Sequence, residues 1–184
     1  MQDIAKSLKR SDAAIDDYDA WTVGITDDAN VLFMIGTDVA GSCQHATGSP
    51  VLNKCLMSYV LDGKTKAAAI SRPGTRPGEQ GKPVTIGRCI VRLVLHNAAP
   101  ALVVSRLYTG SKYRSENIRQ MFGTALQRFV GEEAARLGVK VVRPGSPGIV
   151  LSLGGVGPEY VDESDGAKIK NDGKWELSTS QLER

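Results

Sequence analysis

From Ser115 to Gly138 the apolar residues recur at helical spacing: Ile118, Met121, Phe122, Ala125, Leu126, Phe129, Val130, Ala134 and Leu137. The i, i+3, i+4, i+7 pattern persists for about six turns and makes one apolar stripe on an otherwise polar helix. Such a helix is stable only when something apolar covers the stripe. Ser115 is a natural N-cap and Gly138 a natural C′ stop. The chain just before it supplies the cover. Residues 84–96 alternate as a strand, with Cys89, Val91, Leu93 and Leu95 on one face and Ile86, Arg88, Ile90 and Arg92 on the other. A short break at 97–100 leads to a return strand at 101–108, and so brief a break favours an antiparallel hairpin over a crossover. After the helix, residues 139–142 form a third β-run.

The flanking chain is built from shorter pieces. Residues 3–20 carry weak helical periodicity through Ile4, Leu8, Ile15 and Tyr18, with an N-terminal end open to disorder. Residues 21–25 and 31–35 read as two β-runs joined by a turn at 26–30, which predicts a hairpin. A polar, Gly-rich loop follows at 36–50, containing Cys43 and His45. Long loops in compact domains are functional or disordered, so this one is a site candidate. Residues 51–59 fit either a short helix or a buried strand. Asp62-Gly63 is a turn, 65–70 a strand, and 71–82, with its doubled Arg-Pro-Gly, a basic hairpin tip. Residues 149–153 read as a strand, and Asn171-Asp172-Gly173 signals a hairpin between 168–170 and 174–177. The sum is one α+β domain over 1–184: a mostly antiparallel mixed sheet, one long amphipathic helix packed on it, one or two short helices, and a frayed tail at 178–184.

Composition narrows the function classes. A chain of 184 residues suits a single domain with a sizeable core. No apolar run is long enough to span a bilayer, and the first residues lack a signal-peptide core. A net charge of +3 argues for neither nucleic-acid nor membrane binding. Three cysteines without paired spacing suit reduced thiols and a cytoplasmic location.

Strand, hairpin partner, long helix and following strand, in this order over residues 64–142, resemble the core of the GCN5-related N-acetyltransferase (GNAT) superfamily. The resemblance implies an acyltransferase-like fold that transfers an acyl group from acetyl-CoA to an amine on a small molecule or a protein. It places the pyrophosphate at the turn entering the long helix. There the family's pattern is Arg or Gln, two residues, Gly, one residue, then Gly or Ala. Here the turn reads Arg114-Ser115-Glu116-Asn117-Ile118-Arg119. Arg114 matches, while Asn117 and Arg119 stand where the pattern has small residues. Glycines let backbone close on phosphate, and open N–H groups with the helix dipole favour the anion. The resemblance thus makes Arg114, Ser115, Asn117 and Arg119 the cofactor-binding candidates, and Tyr160 the candidate acid for the departing thiolate. Half-buried anchoring at a strand end explains Tyr160 as well. Arg106 and Tyr108, ending the return strand, face either a substrate groove or plain solvent.

Two other classes stay open. Cys43 in a polar loop, with His45 or His96 as base and Gln44 at an oxyanion site, would make a cysteine hydrolase. Its Gly-Ser-Cys string resembles papain-type enzymes, though His45 is too near in sequence for the usual geometry. A zinc site from Cys43, His45, Cys55 and either Cys89 or His96 matches no standard spacing, so no metal is expected. A non-catalytic interaction module, using the basic tip and sheet-edge strands, is the remaining class.

Overall fold

A computed structural model describes residues 21–39, 44–49, 53, 55–74, 78, 80–143, 146–152, 167–169 and 174–177. Its elements are β1 (Thr22–Thr26), α1 (Ala29–Asp38), α2 (Cys55–Leu61), β2 (Thr65–Pro73), β3 (Pro83–His96), β4 (Ala99–Val104), β5 (Tyr108–Thr109), α3 (Glu116–Leu137), β6 (Lys140–Val142), β7 (Ile149–Ser152), β8 (Ala167–Ile169) and β9 (Lys174–Leu177). This is the α+β arrangement that the sequence predicts, with α3 the dominant helix. The expectations for residues 1–20 and 178–184 lie outside the described residues. Among the described residues no helix is long and apolar enough to cross a membrane.

The fourteen-residue β3 is the axis of the sheet. One of its edges carries β2, antiparallel from Pro83 to Arg92, and then β7 at Leu95 and His96. The other edge carries β5 at Gly87 and Arg88 and β4 from Val91 to His96. β1 lies outside β2, and β6 outside β4 in parallel register, Leu102 opposite Val141. The hairpin joining β3 and β4 is tighter than its sequence suggests. Only Asn97 and Ala98 lie between the paired His96 and Ala99. Both turn residues have positive φ, 51° and 64°, as a two-residue turn matched to strand twist requires. β8 and β9 pair antiparallel, as the Asn-Asp-Gly signal predicts.

The sheet separates two cores. Cys89, Val91 and Leu102 pack under Ile118, Phe122, Leu126, Val130 and Ala134 of α3. On the other side Ala67 and Ile90 meet Leu32 and Ile35 of α1 and Cys55, Leu56 and Tyr59 of α2. Ile86 departs from its predicted face and joins the α3 core. The cause is a bulge: Ile70 pairs with Gly87 and the next residue, Ser71, with Thr85, so Ile86 is the extra residue.

Residues 31–35 are a correction. They form no hairpin strand and lie within α1. Asp28 Oδ1 accepts hydrogen bonds from Asn30 and Val31 N–H at 2.8 and 3.2 Å and caps the helix. Leu32, Ile35 and Val39 are all buried, and their spacing is the helical one. A five-residue apolar window cannot separate the two readings; the cap and Val39 do. The ambiguous 51–59 segment resolves as helix over Cys55–Leu61.

α3 ends at Gly138, whose φ of 69° lets Gly138 and Val139 N–H close on the carbonyls of Ala135 and Ala134. Its height over the sheet is set by Phe122. A Cβ placed on Gly87 would lie 2.5 Å from Phe122 Cδ2. Gly87→Ala therefore overpacks this contact, and equilibrium urea unfolding is expected to show a loss of about 1–3 kcal/mol.

Candidate active site

The return strand is not continuous, and its interruption shapes the site. β4 and β6 run parallel with α3 as their crossover. The N-terminus of α3 therefore lies at the carboxyl ends of both strands, the end at which open α/β sheets take their ligands. The parallel pairing stops at Val103–Val142, and β4 leaves the ladder one residue later. From Val91–Val104 to Arg88–Tyr108, three steps along β3 correspond to four along its partner, so one extra residue is accommodated at 105–107. Ser105 bridges the break. Its N–H donates to the Ile90 carbonyl at 2.8 Å, and Ile90 N–H donates to Ser105 Oγ at 2.8 Å.

Past the bulge, Gly110 N–H donates to the Ile86 carbonyl, and a 3₁₀ turn at Ser111–Tyr113 leads into α3. Tyr113 is held in an aromatic cluster: Trp21 meets it edge-on at 5.7 Å and meets Phe122 at 5.2 Å. The first turn of α3 is thus anchored from beneath and open above. Arg114, Ser115, Glu116, Asn117 and Arg119 are all exposed, while Ile118 points into the core. Ser115 makes no side-chain cap, although its carbonyl accepts the Arg119 N–H at 3.0 Å. The N–H groups of Glu116, Asn117 and Ile118 precede the first intrahelical bond. Arg119 and Asn117 are exposed to solvent.

On the opposite face of β3, Arg88 is wholly buried and Arg92 nearly so, 0% and 5% exposed. The Arg88 guanidinium lies 4.2 Å from the centre of the Tyr108 ring, and that of Arg106 lies 5.9 Å from it. Arg92 lies 5.3 Å over Tyr59. Burial of these cations escapes the sequence, because alternation assigns a face without saying whether helices cover it.

The rival sites fare differently. Cys43 and Tyr160 lie outside the described residues. His96 closes β3 at the hairpin, and its Nε2 is 3.4 Å from Asn97 Nδ2. Six strand residues, about 20 Å, separate it from Ile90 at the bulge. Gln44 is buried and donates through Nε2 to Tyr59 Oη at 2.7 Å. That anchor explains the residue without an oxyanion role. His45 Nδ1 is engaged within its own turn by Thr47 Oγ1 at 3.0 Å. Cys55 and Cys89 belong to cores on opposite sides of the sheet, so no metal site can use both. Burial pushes the Cys89 thiol up to about 12, the neighbouring Arg88 opposing the shift.

No family model matches the sequence, and no curated protein matches it. Solved structures resemble it over part of the chain. A ribosomal-protein-alanine N-acetyltransferase from Brucella melitensis is 14% identical, over 67% of this chain and 80% of that one, with a TM-score of 0.44. A possible acetyltransferase from Clostridium difficile is 11% identical over 70% and 81%, with a TM-score of 0.45. NAA60 of Arabidopsis thaliana, in complex with a bisubstrate analogue, is 17% identical over 66% and 73%, with a TM-score of 0.41. Likeness at this level carries no argument about chemistry, which has to come from the residues themselves.

Cys89 supplies a check on the burial described here. With its thiol neutral and enclosed, mass-mapped labelling by a thiol reagent at pH 8 is expected to modify Cys89 only as fast as the domain unfolds. Rapid labelling of the native protein would contradict a closed core beneath α3.

Proposed function

We propose that the protein is an acyl-CoA-dependent N-acyltransferase-like protein acting on an amine, with acetyl-CoA as the acyl donor. One observation carries the reading. The parallel pairing of β4 and β6 ends at Val103–Val142, beside a ladder break and at the same end of the sheet as the exposed first turn of α3. The donor set fits a pyrophosphate. The amides of Glu116, Asn117 and Ile118 and the positive end of a 22-residue helix are available to an anion. Arg114 adds a guanidinium suited to phosphate oxygens, and Asn117 and Arg119 beside it are exposed. Arg119 supplies charge where the family's pattern has a small residue, and Glu116 opposes it. When bound, the coenzyme supplies the activated acyl thioester. Strand backbone near the bulge orients the acyl carbonyl, and Tyr160 is the candidate proton donor. A small-molecule amine or a protein amine is the acceptor class.

Acetyl-CoA is expected to raise the melting temperature. A ligand at about one hundred times its Kd adds about 2.7 kcal/mol, several degrees for a domain of this length. Arg114→Ala should weaken binding about tenfold by calorimetry, the loss of a charged hydrogen bond, whereas Tyr160→Phe should lower kcat and leave Kd in place. An unchanged melting temperature at millimolar acetyl-CoA would sink the reading.

A further inference from the structure

We infer that Ser105 is a positioning residue whose hydroxyl stands in for its own backbone carbonyl and so holds the bulge beside the end of the β4–β6 pairing in one shape. The register makes the substitution visible. β3 and β4 exchange paired hydrogen bonds at alternate residues outward from the two-residue turn, which puts Ile90 and Ser105 in phase as a bonded pair. Half of that pair is regular: Ser105 N–H reaches the Ile90 carbonyl at 2.8 Å. The other half is not, because the Ile90 amide ends on Ser105 Oγ at 2.8 Å. The hydroxyl thus takes the acceptor place that the Ser105 carbonyl holds in a regular pair. The extra residue is thereby absorbed without stranding a buried amide.

The strand cannot relieve the bulge by sliding back. Leu107 packs against the α3 core, and Tyr108 is paired with Arg88 and lies beneath its guanidinium. Without the hydroxyl, the Ile90 amide loses the acceptor it uses here and the segment 105–107 loses a bond that fixes its course. That segment follows directly on the last residues of β4 paired with β6, so the consequence for function rests on the acyltransferase reading. The consequence for the ladder does not.

Three variants separate the roles. Ser105→Thr keeps a hydroxyl, Ser105→Val has nearly the shape of Thr without it, and Ser105→Ala removes it with little bulk. Two readouts are taken: hydrogen exchange of the Ile90 amide, and acetyl-CoA affinity by calorimetry. Exchange at Ile90 should quicken about tenfold or more in Ala and Val and stay near wild type in Thr. Acetyl-CoA Kd should rise about tenfold in Ala and Val and be rescued by Thr. Wild-type exchange at Ile90 in Ser105→Ala overturns the inference, as does a Kd that follows side-chain volume instead of the hydroxyl. Failure of the wild-type protein to bind acetyl-CoA removes the functional reading alone, and the exchange comparison still decides whether the hydroxyl holds the bulge.

Discussion

Phe122 resting on Gly87 is the contact on which the architecture depends. Because Gly87 has no side chain, a helix can approach β3 at that point closely enough for the ring to lie against backbone. Trp21 and Tyr113 close around the same ring. One glycine thus gathers the start of β1, the 3₁₀ turn and the second turn of α3. The aromatic cluster fixes where α3 begins, and so where its open amides lie relative to the ends of β4 and β6.

Two bulges then divide β3 from its neighbours, one on each edge and both close to Arg88. The bulge against β2 turns Ile86 into the α3 core. The bulge at 105–107 brings Tyr108 opposite Arg88. Between them the sheet carries a fully buried guanidinium stacked on a ring. A buried charge is costly unless its surroundings compensate it, and the aromatic face supplies part of that compensation. The irregular ladder, the cation and the end of the β4–β6 pairing occupy one stretch of sheet, and the hairpin end of β3 is regular.

The parts legible in the sequence were those whose signals are local and repeated. The stripe from Ile118 to Leu137, with Ser115 before it and Gly138 after it, specifies α3 through many residues that agree. The β3–β4 hairpin and the β8–β9 pairing follow from alternation and turn chemistry in the same way. Residues 31–35 misled because Val, Leu, Phe, Met and Ile in succession satisfy either period; the Asp28 cap and Val39, outside that window, carried the answer. The 101–108 run looked unbroken because a bulge leaves composition untouched. Of the candidate site, the turn at Arg114–Arg119 stands out in the sequence by its residue pattern. Arg88, Arg92 and Ser105 were not distinguished, since nothing in their neighbours' identities reports burial or a hydroxyl acting as a carbonyl.

What this sequence determines by itself is the long helix, the strands of the two hairpins on either side of it and the α+β class, because periodicity and turn chemistry act over a few residues and need no distant partner. Tertiary structure decided the rest: which strand faces which helix, that Cys55 and Cys89 lie in separate cores, that Ile86 changes face, and that β4 leaves its ladder at Ser105. Each of these depends on pairing between residues far apart in the chain. The register of such pairs is set by packing across the whole sheet, a quantity no local window contains.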